Sequence, residues 1–295
     1  MAKSLIRFAE QTHAFDAKDK LKLILFAAEV KPATYLHLRI KNNLHDKHRF
    51  EELLDKAGIV YSVSRAKGFE EITGIEDNAA NWHFTGIWYG YDLFHTKSQK
   101  KEFNRYKKLI RAGKQAEADR VAGRLYGYPN SAVEWFIKSK NPKTLAQKFT
   151  YYQYYKQLHE IDRAFPFICH VPPSPTCKDS KRANEIYRKT IKALAPRFYK
   201  EYTKKRTYRC PIIVDMENSV ENVWPEHRGH DYIVITTKPI EGQHWLISWL
   251  TRTTYPRGTI LDAKITIQYD YARVDVIRKT GQLTGFYHKR HFTKL

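Results

Sequence analysis

The apolar residues near the start of the chain are denser than a surface helix needs. Between Lys18 and Val30, Leu21, Leu23, Ile24, Leu25, Ala27 and Ala28 crowd together, and Lys31-Pro32 closes the run as a proline closes a helix. Thr34 to Ile40 then alternates, with Tyr35 on one side and Leu36, Leu38 and Ile40 on the other, which is the period of a strand. A loop rich in His and Lys leads to an amphipathic stretch, Lys47 to Ala57, that ends at Gly58. Ile59 to Val63 and Thr85 to Tyr91 are rich in β-branched and aromatic residues and read as strands. The order helix, strand, helix, strand, strand predicts a small sheet with helices, so the fold class is α+β or α/β.

Residues 98–160 read as mostly helical. Phe103, Tyr106 and Ile110 keep helical spacing, Ala112-Gly113 breaks the run, and Ala116, Val121 and Leu125 resume it up to Gly127-Tyr128-Pro129. Further helices are predicted from Ser131 to Ile137 and from Leu145 to Ile161. Four prolines between Phe165 and Cys177 force extended chain, after which Asp179 or Ser180 is placed to cap a helix running to Leu194 and ended by Pro196. Beyond Arg209 the pattern changes to strands: Ile212–Val214, Asp231–Thr237, Trp245–Trp249, Lys264–Tyr271 and Arg273–Arg278. In the fourth, Ile265, Ile267, Tyr269 and Tyr271 share one face and Lys264, Thr266, Gln268 and Asp270 the other. Two domains follow: residues 1–200, a small sheet with a helical middle, and residues 201–295, antiparallel and meander-like.

Charge changes this picture most. The chain has 52 Lys+Arg against 31 Asp+Glu in 295 residues, a formal charge of +21. So large an excess repels itself in a compact state, and it points to a polyanionic partner unless it is only a solvated Lys-rich surface. The excess is concentrated. Between Lys181 and Arg209 stand Lys181, Arg182, Arg188, Lys189, Lys192, Arg197, Lys200, Lys204, Lys205, Arg206 and Arg209, opposed only by Glu185 and Glu201. Ten basic residues from Lys97 to Arg124 meet Glu102, Glu117 and Asp119, and five lysines from Lys138 to Lys156 meet no acid. The last block includes Tyr151, Tyr152, Tyr154 and Tyr155, rings able to stack bases beside phosphate-neutralising lysines, or else partly core.

No apolar run reaches the roughly 18 residues of a membrane span, and the N-terminus has no signal-peptide core, so a cytosolic protein without a membrane partner is expected. Cys169, Cys177 and Cys210 are an odd number at unremarkable spacings, which argues against a disulfide framework.

Two stretches carry a resemblance: GRLYGYPNSAVEWF, Gly123 to Phe136, and FICHVPPSPTCKDSKRANEIYRKTIKALAP, Phe167 to Pro196. Their Gly-x-Leu-x-Gly-Tyr-Pro turn and His-x-Pro-x-Ser-Pro-x-Cys segment resemble an uncharacterised, largely archaeal family, the domain-of-unknown-function family 483, over roughly residues 20–196. In that family's pattern a pair of cysteines stands where this chain has Ser131 and Ala132, and another where it has Pro173. The resemblance thus implies a thiolate centre for zinc, iron–sulfur or redox chemistry, and the substitutions imply its loss here. Cys169, His170 and Cys177 remain, but adjacent residues in extended chain point to opposite faces, so buried structural roles are expected and no metal or cofactor.

Two other groups could do chemistry. In the loop Glu226 to Asp231, His227 and His230 could shuttle protons while Arg228 holds a phosphate beside Asp231, or the segment is a polar hairpin loop. Tyr91-Asp92 with His95 lies at a strand end. No glycine-rich phosphate loop, nucleophile elbow or HExxH occurs. The leading expectation is a nucleic-acid-binding protein, RNA slightly ahead of DNA. The alternatives are an enzyme acting on nucleic acid or a phosphorylated substrate through residues 226–231, and a non-catalytic assembly protein with a Trp- and Tyr-rich surface; the oligomeric state stays open.

Overall fold

The computed structural model describes residues 2–40, 44–65, 70–76, 79–84, 87–139, 161, 163–216, 231–237, 243–251, 260–269, 271–278 and 281–294. They form the helices α1 Ala2–Gln11, α2 Ala17–Ala27, α3 His45–Lys56, α4 Lys97–Arg111, α5 Gln115–Leu125, α6 Asn130–Ser139, α7 Lys178–Leu194 and α8 Pro196–Thr203. The strands are β1 Ala33–Ile40, β2 Val60–Arg65, β3 Glu70–Glu76, β4 Ala79–Phe84, β5 Ile87–Phe94, β6 Arg206–Met216, β7 Asp231–Thr237, β8 Gln243–Thr251, β9 Ile260–Gln268, β10 Tyr271–Arg278 and β11 Gly281–Lys294. Two compact units result, the first holding the helices with β1, β2 and β5, the second the remaining strands. The hairpin β3–β4 belongs with the second unit although it precedes the expected boundary near residue 200.

In the first unit β5 lies between β1 and β2, antiparallel to both, so the fold is α+β rather than α/β. The alternation of β1 is as its sequence implies: Leu36, Leu38 and Ile40 are buried, while Tyr35, His37 and Arg39 stay half-exposed. Aromatic rings from three elements fill that buried side. Phe8 of α1 stacks on Phe50 of α3 at 5.4 Å, and Phe50 meets Tyr91 of β5 at 5.1 Å, a geometry that adds to plain area burial. The other end of the sheet closes with Ala33, Phe94, Phe103 and Leu125. α2 starts where Asp16 accepts a hydrogen bond from the Asp19 amide at 2.7 Å, and it buries Leu21, Leu23, Ile24, Leu25 and Phe26.

The long helical stretch resolves into α4, α5 and α6, with α4 opened by a capping box between Thr96 and Gln99. The helix expected over Leu145–Ile161 lies outside the described residues except for Ile161. The caps foreseen for α7 are corrected: the N-cap residue is Cys177 with no side-chain bond, Asp179 and Ser180 already lie inside the helix, and both are bound elsewhere. Pro196 does end α7, yet it also starts α8, a first-turn position where its missing N–H has no consequence.

In the second unit β6 to β11 close an antiparallel barrel in the order β10-β11-β8-β7-β6-β9. Two three-stranded meanders, β6–β8 and β9–β11, are joined along β8·β11 and β6·β9. The single strand expected over Lys264–Tyr271 is instead the end of β9 and the start of β10. Tyr269, at φ 60°, turns the chain between them.

Candidate functional site

The first part of the strongest basic block of the sequence, Lys181 to Lys192, lies on one face of one helix. Along α7 the buried residues are Ser180, Asn184, Tyr187 and Ile191. At 3.6 residues per turn, Lys178, Lys181, Arg182, Arg188, Lys189 and Lys192 fall on the opposite arc, about 120° wide and about 21 Å long, and all are exposed. Glu185 lies inside the same arc and accepts a hydrogen bond from Arg188 at 2.8 Å. Arg197, Lys204 and Lys205 are also exposed, whereas Arg206 is half-buried. On α4, Lys97, Lys101, Arg105, Lys107, Lys108 and Arg111 face solvent, with Arg105 3.5 Å from Glu102. Tyr151, Tyr152, Tyr154 and Tyr155 lie outside the described residues, as do His227, Arg228 and His230. Asp231 opens β7, paired with Thr251.

The two motif stretches are far apart in sequence and meet in the fold. The first forms the end of α5, a turn and α6. A Cβ on Gly123 would lie 2.3 Å from Cγ2 of Val133, so only glycine lets α5 and α6 cross this closely. Gly127 has φ +69°, and its Cα faces Pro32. The Tyr128 amide reaches back to the Gly123 carbonyl at 2.8 Å and the Gly127 amide to the Arg124 carbonyl at 3.2 Å, the Schellman pattern that ends a helix on a left-handed residue. The second stretch is fixed from below. The Phe167 amide donates to Asn184 at 3.0 Å, and the Tyr202 hydroxyl donates to the Pro166 carbonyl at 2.7 Å. Ser131 then donates to Asp179 at 2.6 Å, His170 Nε2 shares a hydrogen bond of 2.9 Å with Ser180, and the rings of Tyr128 and His170 stand 5.8 Å apart.

Between these segments lies a cavity of about 240 Å³ whose walls include Ala122, Tyr128, Val133, Phe136, Cys169 and His170. Behind Tyr128 sits Lys31, only 1% exposed. Its ammonium donates to the Tyr126 carbonyl at 2.8 Å and lies 4.8 Å from the Tyr128 ring and 6.0 Å from that of Tyr187. Burial pushes its pKa down, since little solvent remains to stabilise the charge, and the charge of Lys22 pushes in the same direction. His170 is driven down to about 4 by burial and by the charges of Lys31 and Lys18, so its ring is neutral at physiological pH. Its Nδ1 is buried without a hydrogen-bond partner. Such an orphan costs about 1–3 kcal/mol. Burial raises the Tyr128 phenol to about 12, which keeps that ring neutral as well.

The sequence missed Lys31 because a lysine before a proline reads as a helix stop. It also missed Asp19, which is buried, bonds Lys22 at 2.7 Å and takes the His37 amide at 3.0 Å. Burial opposes that carboxylate, but the Lys22 charge and these hydrogen bonds hold it down to about 2. Tyr91, Asp92 and His95 do not assemble into one site. Tyr91 donates to Glu51 at 2.9 Å, Asp92 accepts from the Tyr126 hydroxyl at 2.6 Å, and His95 stacks on Phe26 at 4.0 Å. Among the described residues no three His, Cys, Asp or Glu side chains gather as a metal ion requires, and Cys169 and Cys177 are free thiols. Among the same residues no helix is long and apolar enough to cross a membrane. No family model, no curated protein and no solved structure matches the chain.

Proposed function

We propose that this protein binds nucleic acid, RNA ahead of DNA, through the exposed arc of α7. The observation that carries the reading is the separation of the helix into a buried stripe and a basic face bearing six Lys and Arg against one glutamate. Cationic side chains spread along about 21 Å, interrupted by Glu185, can lie against a phosphate backbone, and their gain comes from releasing the counterions condensed on it. A cytosolic site of action and kinship with family 483 belong to the same proposal.

Fluorescence anisotropy with a labelled single-stranded RNA tests it. Five or so phosphate contacts give a slope of log K against log salt of about −3 to −4 on a single strand. The triple variant Lys181→Glu, Arg182→Glu, Lys189→Glu should flatten that slope and weaken binding at least tenfold while the fold is retained. Wild-type binding no tighter than that of an equally basic control protein at the same salt would end the proposal.

A further inference from the structure

We propose that the cavity lined by α5, α6 and residues 169–171 takes one unstacked base of the nucleic acid whose phosphates lie on α7. The proposal rests on the nucleic-acid reading above and adds what the α7 surface alone lacks, a place for a base.

Size, wall chemistry and position agree. The space of about 240 Å³ exceeds the roughly 150 Å³ that admits a benzene ring, so a one-ring or two-ring base fits. The rings of Tyr128 and Phe136 and the side chains of Val133 and Ala122 supply apolar surface for its faces. His170, held through Nε2 by Ser180, adds a neutral imidazole ring to the wall, a further flat surface of the kind on which bases stack. The lining also excludes phosphate. Among the described residues its one charged side chain is Asp119, an anion, so the charged backbone must stay outside.

The cavity also lies beside the basic helix. Asp179 accepts from Ser131 and Ser180 is bonded to His170, so α7 begins at the cavity wall, and Lys178 and Lys181 flank those two residues in sequence. Phe136 and Val171, 39% and 40% exposed, line the cavity where it meets solvent and offer apolar surface to a neighbouring base. A backbone running along α7 can therefore leave its phosphates on the lysines and turn one base inward, the arrangement by which proteins read a base lifted from its stack.

The test compares an RNA oligonucleotide with an abasic ribose-phosphate chain of the same length, at one fixed salt concentration, by anisotropy. Wild type should bind the intact oligonucleotide about tenfold more tightly than the abasic one. Ala122→Phe, which fills the cavity, should bring the intact oligonucleotide to the abasic level and leave abasic binding unchanged. The Lys181→Glu, Arg182→Glu, Lys189→Glu variant should weaken both. Equal wild-type affinity for the two chains, or a preference that survives Ala122→Phe, overturns the base pocket while the α7 reading stands. If neither chain binds, the α7 reading itself fails. A second measurement needs no variant: iodoacetamide labelling of Cys169, followed by mass spectrometry, should slow severalfold with the intact oligonucleotide and not with the abasic one. Equal labelling of Cys169 in the two complexes also overturns the proposal.

Discussion

Lys31 and the lysines of α7 are the same side chain in opposite settings. Lys31 is enclosed by Tyr126, Tyr128 and Tyr187, with one carbonyl as acceptor, and its charge is a burden that burial makes heavier. Lys181 and Lys189 stand in water, where charge adds nothing to the fold and is available to a partner. The +21 of the whole chain does not distinguish the two settings. What separates them is tertiary: α7 turns one stripe to the core and the other to solvent, and the buried stripe helps enclose Lys31.

The widest gap between the two regions should appear in stability. Lys31→Ala removes a fully buried stem and leaves the Tyr126 carbonyl unpaired, which should lower unfolding free energy by about 2–4 kcal/mol in urea titrations. Lys31→Met keeps most of the volume and should cost less, whereas Lys189→Ala should leave the urea midpoint where it is. Equal, small effects at Lys31 and Lys189 would show that the interior around Tyr128 is not packed as described.

Acid should act on the interior next. The folded pKa of His170 is about 4 against 6.5 when unfolded, so the unfolded chain binds the extra proton first. Stability from this group is complete above 6.5 and is lost as pH falls through that window, reaching about 3 kcal/mol at its lower end. The group is partly solvated, so this is an upper figure. His170→Gln should remove that part of the acid limb, visible as a flatter plot of urea midpoint against pH. An unchanged acid limb in the variant would place the titrating group elsewhere. Lys31 works with the same sign at the alkaline end: its pKa is lowered, so stability should rise as pH climbs from its folded value to 10.5.

Much of the first unit was legible in the sequence because its signals are local. The crowding of Leu21 to Leu25 announced α2, and Leu36, Leu38 and Ile40 announced a one-sided strand. The Gly-x-Leu-x-Gly-Tyr-Pro segment marked a turn, and the structure supplies its reasons: Gly123 for the α5–α6 crossing, Leu125 for the core, Gly127 for the left-handed end. The cavity was not legible, since Ser131 and Asp179 are 48 positions apart and only the fold joins them. β11 escaped because His288, Lys289, Arg290 and His291 interrupt any apolar alternation, and ladder pairing with β8 and β10 sets its course instead. β9 and β10 were misjoined because Tyr269 gives no turn signal, although the backbone reverses there.

The junction of the motifs offers a smaller perturbation. Gly123→Ala adds a methyl group at 2.3 Å from Val133, so the helices must part or the side chain must shift, at about 1–3 kcal/mol. Val133→Ala in the same chain should recover most of the loss, and a double-mutant cycle on thermal midpoints reads the coupling directly. Strict additivity of the two changes would mean that α5 and α6 do not meet at this point.

The smallest effect is the most telling for the outer face. Glu185 is the one carboxylate within the basic arc of α7, and its bond to Arg188 is an exposed pair that contributes little to folding. Glu185→Gln should therefore leave the urea midpoint alone. Affinity for RNA should nevertheless rise about two- to fivefold at low salt, because a repulsive charge leaves the phosphate track and Arg188 is released to it, and the gain should shrink as salt screens both terms. A basic face that serves only to keep the protein in solution has no reason to respond in that direction. If removing this carboxylate leaves RNA affinity unchanged across the salt range, the phosphates do not lie on α7.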